Sequence, residues 1–488
     1  MKKSTIHRIL FVLGIALGIA FGFAARAYAD TYTPPEFLSR PPALPASYAA
    51  SRALRLDLHE ALKIAMRQHL GLVVQRKEVE ASELAVLEAK WGLYEPSVSS
   101  SIDFGSTPLW SASTGIALPT GGRIDIGAGG AFAGDGGAAL SLSFTQPLLR
   151  GFSLDLMIPR YSILTARIAS KKQQLALEIS AAGVIEETES AYWDVVYALY
   201  SHEVTMKSRQ LAADTVTLVE RQVAAGMVSP SELANAKSRL AQTEVSVLRS
   251  TQSVEQSWDS LRTILVLPHD QWDRPLLPTD RPTFTPRAPT SAEAAYATAL
   301  KHRADLAQTE LSLEESALAR RKEDNDALPQ IDLGIHTSVE DPSASNGWTR
   351  ATTGVISLSW TPFGKQRSLA KKQSRIRREI ELTSKEAQLQ GVWNGVRSAV
   401  RGDAASTQDL LAASQSRAAA VISLDLETKK YINGGSSNLD VANVQSSLAS
   451  AELSELGALI AYERAQTTLY QATGQLLAQR HIDLQVVR

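Results

Sequence analysis

The stretch RQVAAGMVSPSELANAKSRLAQTE, beginning at Arg221, is written a second time as KKYINGGSSNLDVANVQSSLASAE from Lys429. Gly226 falls opposite Gly434, Asn235 opposite Asn443, Leu240 opposite Leu448 and Glu244 opposite Glu452, at one spacing of ~208 residues that marks an internal repeat. Each copy reads as helix, short glycine-bearing break, helix. Leu233, Leu240, Val247, Val254 and Leu261 recur every seven residues after the first break. The same register after the second break holds Val441, Leu448, Glu455, Tyr462 and Leu469, with Glu455 as its one polar interruption. Both copies therefore predict an apolar seam packed against neighbouring helices.

The repeat extends well beyond the breaks. Pro159 to Gly226 and Pro362 to Gly434 hold no internal proline, so each predicts a helix of roughly 100 Å, too long for an ordinary globular domain. Shorter helices follow, over 231–267 and 439–476. A helix of roughly 38 residues is predicted from Asp57 to Glu95, stopped by Pro96, with a twin from Ser291 to Leu328, stopped by Pro329.

Strand-like text lies between these helices. SVSSSIDF from Ser97 and QIDLGIHTSV from Gln330 alternate apolar and polar residues, as do ALSLSFTQP from Ala139 and GVISLSWTP from Gly354. That makes four principal strands, two per repeat. The first copy also carries GIALPTGGRIDIGAGGAFAGDGG from Gly115, an added hairpin or glycine-rich loop. Whether the insertion 105–139 plugs, extends or caps the strands is open from the residues alone.

The start of the chain speaks to compartment. Lys2, Lys3 and Arg8 precede the apolar run Ile9 to Ala25, and Ala27-Tyr28-Ala29 stands before Asp30, the layout of a secretory signal cleaved after Ala29. No later stretch reads as a spanning helix, so membrane residence would have to come from strands. Residues 30–55 are proline-rich and predict an extended leader on the surface. The chain has no cysteine, hence neither a disulfide nor a thiol for a lipid anchor, and its net charge of −1 argues against nucleic acid.

Alternating strands of eight to ten residues suit a bilayer-spanning barrel, but four cannot close one, so several chains would have to combine. A small soluble sheet packed on one side is the other reading. Trp91, Trp110, Trp348 and Trp360 near the strands fit either an interfacial aromatic belt or core packing.

The signal, the doubled element order, LSFTQPLLRGF from Leu142 and YINGGSSNLDVANVQSSLASAE from Tyr431 together resemble the TolC family of outer-membrane efflux and secretion ducts, over about 56–477. The resemblance implies a mainly α fold with a membrane β-barrel portion: a homotrimer whose twelve strands close one barrel and whose helices form a periplasmic tunnel. It implies repeats over 56–289 (strands about 97–146, turn about 226–231) and 290–477 (strands about 331–361, turn about 433–438), with a tail at 478–488. The partners implied are a periplasmic adaptor (membrane fusion) protein, an inner-membrane pump of RND or ABC type, and outer-membrane lipid.

By the same resemblance the two turns are the closed periplasmic end and the adaptor contact, built on Gly226, Pro230, Gly434, Ser436 and Leu439. Asp440 matches an acidic constriction position, Tyr431 an aromatic that bonds to the neighbouring hairpin, and Ser231 with Glu232 a hydroxyl and carboxylate pair. Two departures stand out. Ser436 occupies a site where some relatives carry arginine, and Asn443 one where some carry a second aspartate. The residues alone also allow plain helix punctuation at both turns, with Ser229, Ser231, Ser437 and Asn438 as caps.

Enzymatic readings find no footing. The histidines, among them His59, His69, His202 and His302, lack metal-ligand spacing, the glycine run 127–137 fails G-x-G-x-x-G at Phe132, and no hydrolase or P-loop signature occurs. No cofactor is expected. A channel or exit duct is the reading preferred, against a soluble periplasmic coiled-coil adaptor or scaffold, while the cargo is not written in the chain.

Overall fold

The computed structural model describes residues 35, 38, 40–45, 48, 52–104, 109–132, 137–286, 289–341, 348–360 and 365–482. The signal segment 1–29 lies outside them, as do most of the leader and residues 483–488 of the tail. The chain order is β1 (Leu54–Leu56), α1 (Leu58–Gln68), α2 (Leu70–Tyr94), β2 (Ser97–Asp103), β3 (Leu109–Ala117), β4 (Arg123–Ala131), β5 (Ala138–Pro147), α3 (Tyr161–Ala224) and α4 (Pro230–Leu265). Then come β6 (Leu276–Pro278), α5 (Ala292–His302), α6 (Ala304–Asp326), β7 (Gln330–Glu340), β8 (Thr349–Ser359), α7 (Lys365–Ile432), α8 (Asn438–Ala472) and α9 (Leu476–Gln479). The chain divides into a unit of residues 1–73, 180–303 and 391–488, and a unit of residues 74–179 and 304–390.

In the first unit, helices pack around the parallel pair β1 and β6. Of the seams predicted after the breaks, Val254, Leu261 and Tyr462 are buried, together with Tyr192 and Trp258, whereas Leu233, Leu240, Val247, Val441, Leu448 and Leu469 are half-buried. Glu455, the polar interruption, is fully buried and paired with the Arg417 guanidinium. A buried carboxylate needs such a partner to remain charged. Tyr192 donates to the Leu56 carbonyl at 3.1 Å and to Asp280 at 2.9 Å, and burial pushes its phenol well above the usual tyrosine range. The leader is less superficial than expected: Leu38 is buried, Tyr200 donates to the Arg40 carbonyl, and the Tyr48 ring sits edge-on to Trp258 at 5.0 Å.

Both N-terminal helices of the repeats differ from expectation in the same way. The predicted 57–95 helix is α1 and α2, broken at His69 (ψ 120°), and the predicted 291–328 helix is α5 and α6, broken at Arg303 (ψ 119°). Neither break holds a proline or glycine, so propensity reads straight through it. One extended residue re-aims the chain while its own N–H still bonds back, to Ala65 from His69 and to Ala299 from Arg303. Asp57 and Ser291 cap the starts, accepting from the Glu60 and Ala294 N–H groups.

The second unit carries one antiparallel sheet of six strands, ordered β2-β3-β4-β5-β7-β8: the four principal strands expected and, of the two readings of the insertion, the hairpin. The insertion supplies β3 and β4. The choice between hairpin and loop was open because Gly127, Gly129 and Gly130 occupy positions at which a side chain would have revealed the alternation. The register sorts the whole sheet into two faces. One face holds Val98 and Ile102 of β2, Ala112 and Ile116 of β3, Ile124 and Ile126 of β4, Leu140, Leu142 and Phe144 of β5, Ile335 and Leu333 of β7, and Ile356 and Leu358 of β8. The other holds Ser99 and Ser101, Ser111 and Ser113, Arg123 and Asp125, Ser141 and Ser143, His336 and Ser338, and Ser357 and Ser359.

Neither face of the edge strands is covered: every residue of β2 and of β8 is exposed, with Val98 at 79% and Ile356 at 74%. A soluble sheet packed on one side would bury its apolar face, and this one does not. Trp91, Trp348 and Trp360 are likewise exposed, which sets core packing within the chain aside for them. Trp348 and Trp360 bracket β8 at twelve residues' separation, roughly 40 Å of strand and about 30 Å across a bilayer once tilted.

Candidate functional site at the two helix turns

The two copies of the break adopt one backbone solution in the first unit. Gly226 and Gly434 have φ of 70° and 75°, a conformation L side chains rarely adopt, although a Cβ at either would meet nothing within 4 Å. The glycine is required by the torsion and not by crowding. Beside them the Met227 N–H donates to the Gln222 carbonyl at 2.8 Å and the Gly435 N–H to the Lys430 carbonyl at 2.9 Å, closing the last turns of α3 and α7 identically.

The restarts then diverge. Ser229 Oγ accepts from the Ser231 N–H at 3.2 Å, Pro230 takes the first helical position, and the Glu232 N–H donates to the Ser229 carbonyl. In the second turn Ser437 Oγ accepts from the Asp440 N–H at 3.2 Å while Asp440 Oδ2 accepts from the Ser437 N–H at 3.1 Å, a reciprocal cap. The Ser437 hydroxyl and N–H hold the Asp440 carboxyl below the usual carboxylate range. Ser436 donates to Glu427, which also pairs with Lys430 at 3.1 Å, and these two bonds lower the Glu427 carboxyl too.

Side chains tie one hairpin to the other. Gln222 Nε2 donates to the Tyr431 hydroxyl at 3.1 Å, and Arg239 Nη2 donates to the Ala442 carbonyl at 2.6 Å. Val216, Val219 and Ala236 form a small buried core below the first turn, with Val223, Val228, Leu233 and Leu240 against it. A groove of about 670 Å³ runs between the hairpins, lined by Glu232, Asn235, Arg239, Leu439, Ala442 and Asn443 among others. Ser231, Leu439 and Asp440 are exposed, Glu232 and Tyr431 half-buried. Gln222, Arg239, Glu427 and Lys430 escaped the sequence reading. Only the Glu427 to Lys430 spacing on one helix face could have signalled its pair.

Residues 295–475 match the outer membrane efflux protein family. Residues 295–475 thus form an outer membrane efflux protein domain. No curated protein matches the chain by sequence. Solved structures share its fold. The outer-membrane channel OprN is 18% identical with a TM-score of 0.68, the match covering 91% of this chain and 98% of OprN. The CmeC outer membrane channel of Campylobacter jejuni is 13% identical, TM-score 0.66, covering 88% of this chain and 90% of CmeC. The open-state MtrE outer membrane channel of Neisseria gonorrhoeae is 17% identical, TM-score 0.62, covering 86% and 89% respectively.

An outer membrane efflux protein is a channel of that membrane with its helices in the periplasm. The uncovered apolar sheet face is what such a location requires, and it removes the soluble adaptor reading. Among the described residues no helix is long and apolar enough to span a membrane.

Proposed function

We propose that the chain is the passive exit duct of a tripartite efflux pump or type I secretion system, working as a homotrimer after export by its 1–29 segment and cleavage behind Ala29. Its repeats occupy 56–289 and 290–477. The single observation behind trimer assembly is that β2 and β8 lie at opposite edges of the sheet with their outer ladders unpaired. Hydrocarbon does not tolerate open edges, so β8 of one copy must meet β2 of the next.

The turns serve as the gate at the periplasmic end. Threefold symmetry repeats Asp440 into a ring of carboxylates, which favours cations at a narrow mouth. Ser231 and Glu232 provide the matching polar pair of the first turn. Tyr431, with Gln222, fastens the two hairpins in the closed arrangement. Ser436, which holds Glu427, takes the place of a charged latch. The groove between α4 and α8, with Leu439 exposed at its mouth, suits a helical hairpin of a periplasmic adaptor, which in turn recruits an RND or ABC pump of the inner membrane.

Cross-linking of outer-membrane fractions tests the assembly: a trimer band is expected, and a monomer released with periplasmic fluid would refute it. In a planar bilayer, Asp440→Ala or Glu232→Ala is expected to lower cation preference, and unchanged selectivity in both would remove the carboxylate mouth.

A further inference from the structure

Strands β3 and β4 are an integral part of the sheet. β3 pairs with β2 through seven residues, from Ser97↔Gly115 to Asp103↔Leu109, and β4 pairs with β5 from Arg123↔Thr145 to Gly130↔Ala138. Side chains add to the ladder on the polar face: Ser99 with Ser113 and Ser101 with Ser111, each at 2.8 Å. Arg123 pairs with Asp125 and reaches across β3 to the Ser97 hydroxyl at 3.0 Å. Gly115 leaves room for that reach, since a Cβ there would crowd the Asp125 carboxylate and the Arg123 guanidinium as they lie. At the hairpin's turn Thr120 donates to the Gln146 side chain at 2.7 Å, fixing it to the end of β5.

The hairpin also obeys the two-faced pattern of its neighbours. Its described charges, Arg123 and Asp125, share the serine face, while Ile116, Ile124 and Ile126 extend the apolar face that runs from Val98 to Leu358. A plug or a cap would have water or protein on both sides and no reason for this alternation.

We propose that β3 and β4 are wall strands of the channel and that they widen it. The inference rests on the trimeric reading above. Three copies of a six-stranded sheet close a barrel of eighteen strands, where four strands per copy would close twelve. Barrel diameter grows about linearly with strand number, so the outlet is roughly 1.5 times wider and, at this size, an open aqueous channel. Its lining of serines with the Arg123–Asp125 pair suits hydrated polar solutes too bulky for a twelve-strand outlet.

The chain has no cysteine, so single substitutions report one site each. In outer-membrane vesicles holding the full-length protein, Ser111→Cys and Ser113→Cys on the polar face are compared with Ala112→Cys and Ile126→Cys on the apolar face. Leu142→Cys and Ile335→Cys, on strands that the four-strand reading already contains, serve as wall controls. The probe is a membrane-impermeant, sulfonated maleimide. A thiol facing hydrocarbon neither ionises nor meets the probe, so the two serine positions are expected to react at least about tenfold faster than Ala112→Cys, Ile126→Cys and both controls. Equal, fast reaction at all four hairpin positions with slow controls would overturn the wall placement and leave the channel reading intact. Fast reaction at the controls as well would overturn both.

Discussion

In the helical unit the largest side chains are sealed: Trp258, Tyr192, Tyr200 and Tyr462 are each at most 1% exposed. In the strand unit Phe104 is 83% exposed, Val98 79% and Ile356 74%. The polar groups are inverted in the same sense, with Glu455 buried against Arg417 in the one and serines lining an open face in the other. The two units are folded for different solvents. Water drives the helical seams together, whereas the apolar sheet face is completed by lipid, whose tails are as apolar as the strands themselves.

The contrast can be broken most forcefully in the helical unit. Glu455→Ala leaves the Arg417 guanidinium without its buried partner, and a loss of about 3–5 kcal/mol is expected, read as a large drop in unfolding midpoint. On the lipid face the expectation reverses the usual rule for exposed residues. Ile356→Arg, harmless on a water-exposed strand, is expected to cost about 2–4 kcal/mol of membrane insertion and to deplete the protein from the outer-membrane fraction, while Ser357→Arg beside it is retained.

Smaller effects separate the two turns within the helical unit. Ser437→Ala removes the hydroxyl half of the reciprocal cap while the backbone N–H at 437 still donates to Asp440, and it is expected to destabilise the start of α8 by about 1 kcal/mol, seen as faster amide exchange over 438–442. Acid acts on the same cap in one direction. The Asp440 carboxyl is lowered in the folded chain, so its contribution is complete above the ordinary carboxylate pKa of about 3.9 and is lost only as pH falls through the depressed value. Amide exchange at this turn is therefore expected to be flat from pH 7 to about pH 5 after correction for intrinsic rates, and to rise under stronger acid. Asp440→Asn is expected to abolish the rise.

What was legible in the sequence follows from where the physics is local. The breaks were legible because a positive φ calls for glycine and a helix restart calls for serine or aspartate, and both are written twice, around Gly226 and Gly434. The strands ending in Phe144 and Trp360 were legible from alternation. The kinks at His69 and Arg303 were not, because a single extended residue leaves no mark in propensity. Nor was the third strand pair member by member, since glycine erases the side-chain pattern of β4. At the turns, Tyr431 and Asp440 stood out, but Gln222 beside Tyr431 and Arg239 on the Ala442 carbonyl depend on which helices meet, which no spacing along the chain encodes.

The sheet's two open edges carry the account, and they can be tested directly. Single cysteines along Ser97–Asp103 in one tagged version of the chain and along Thr349–Ser359 in another, co-expressed and oxidised in the membrane, report whether β2 of one copy lies against β8 of the next. At least one register is expected to yield a disulfide between differently tagged chains, within a species of three copies. Placing both cysteines of a reactive pair in one chain and recovering only an internal disulfide, in a monomer, would contradict it.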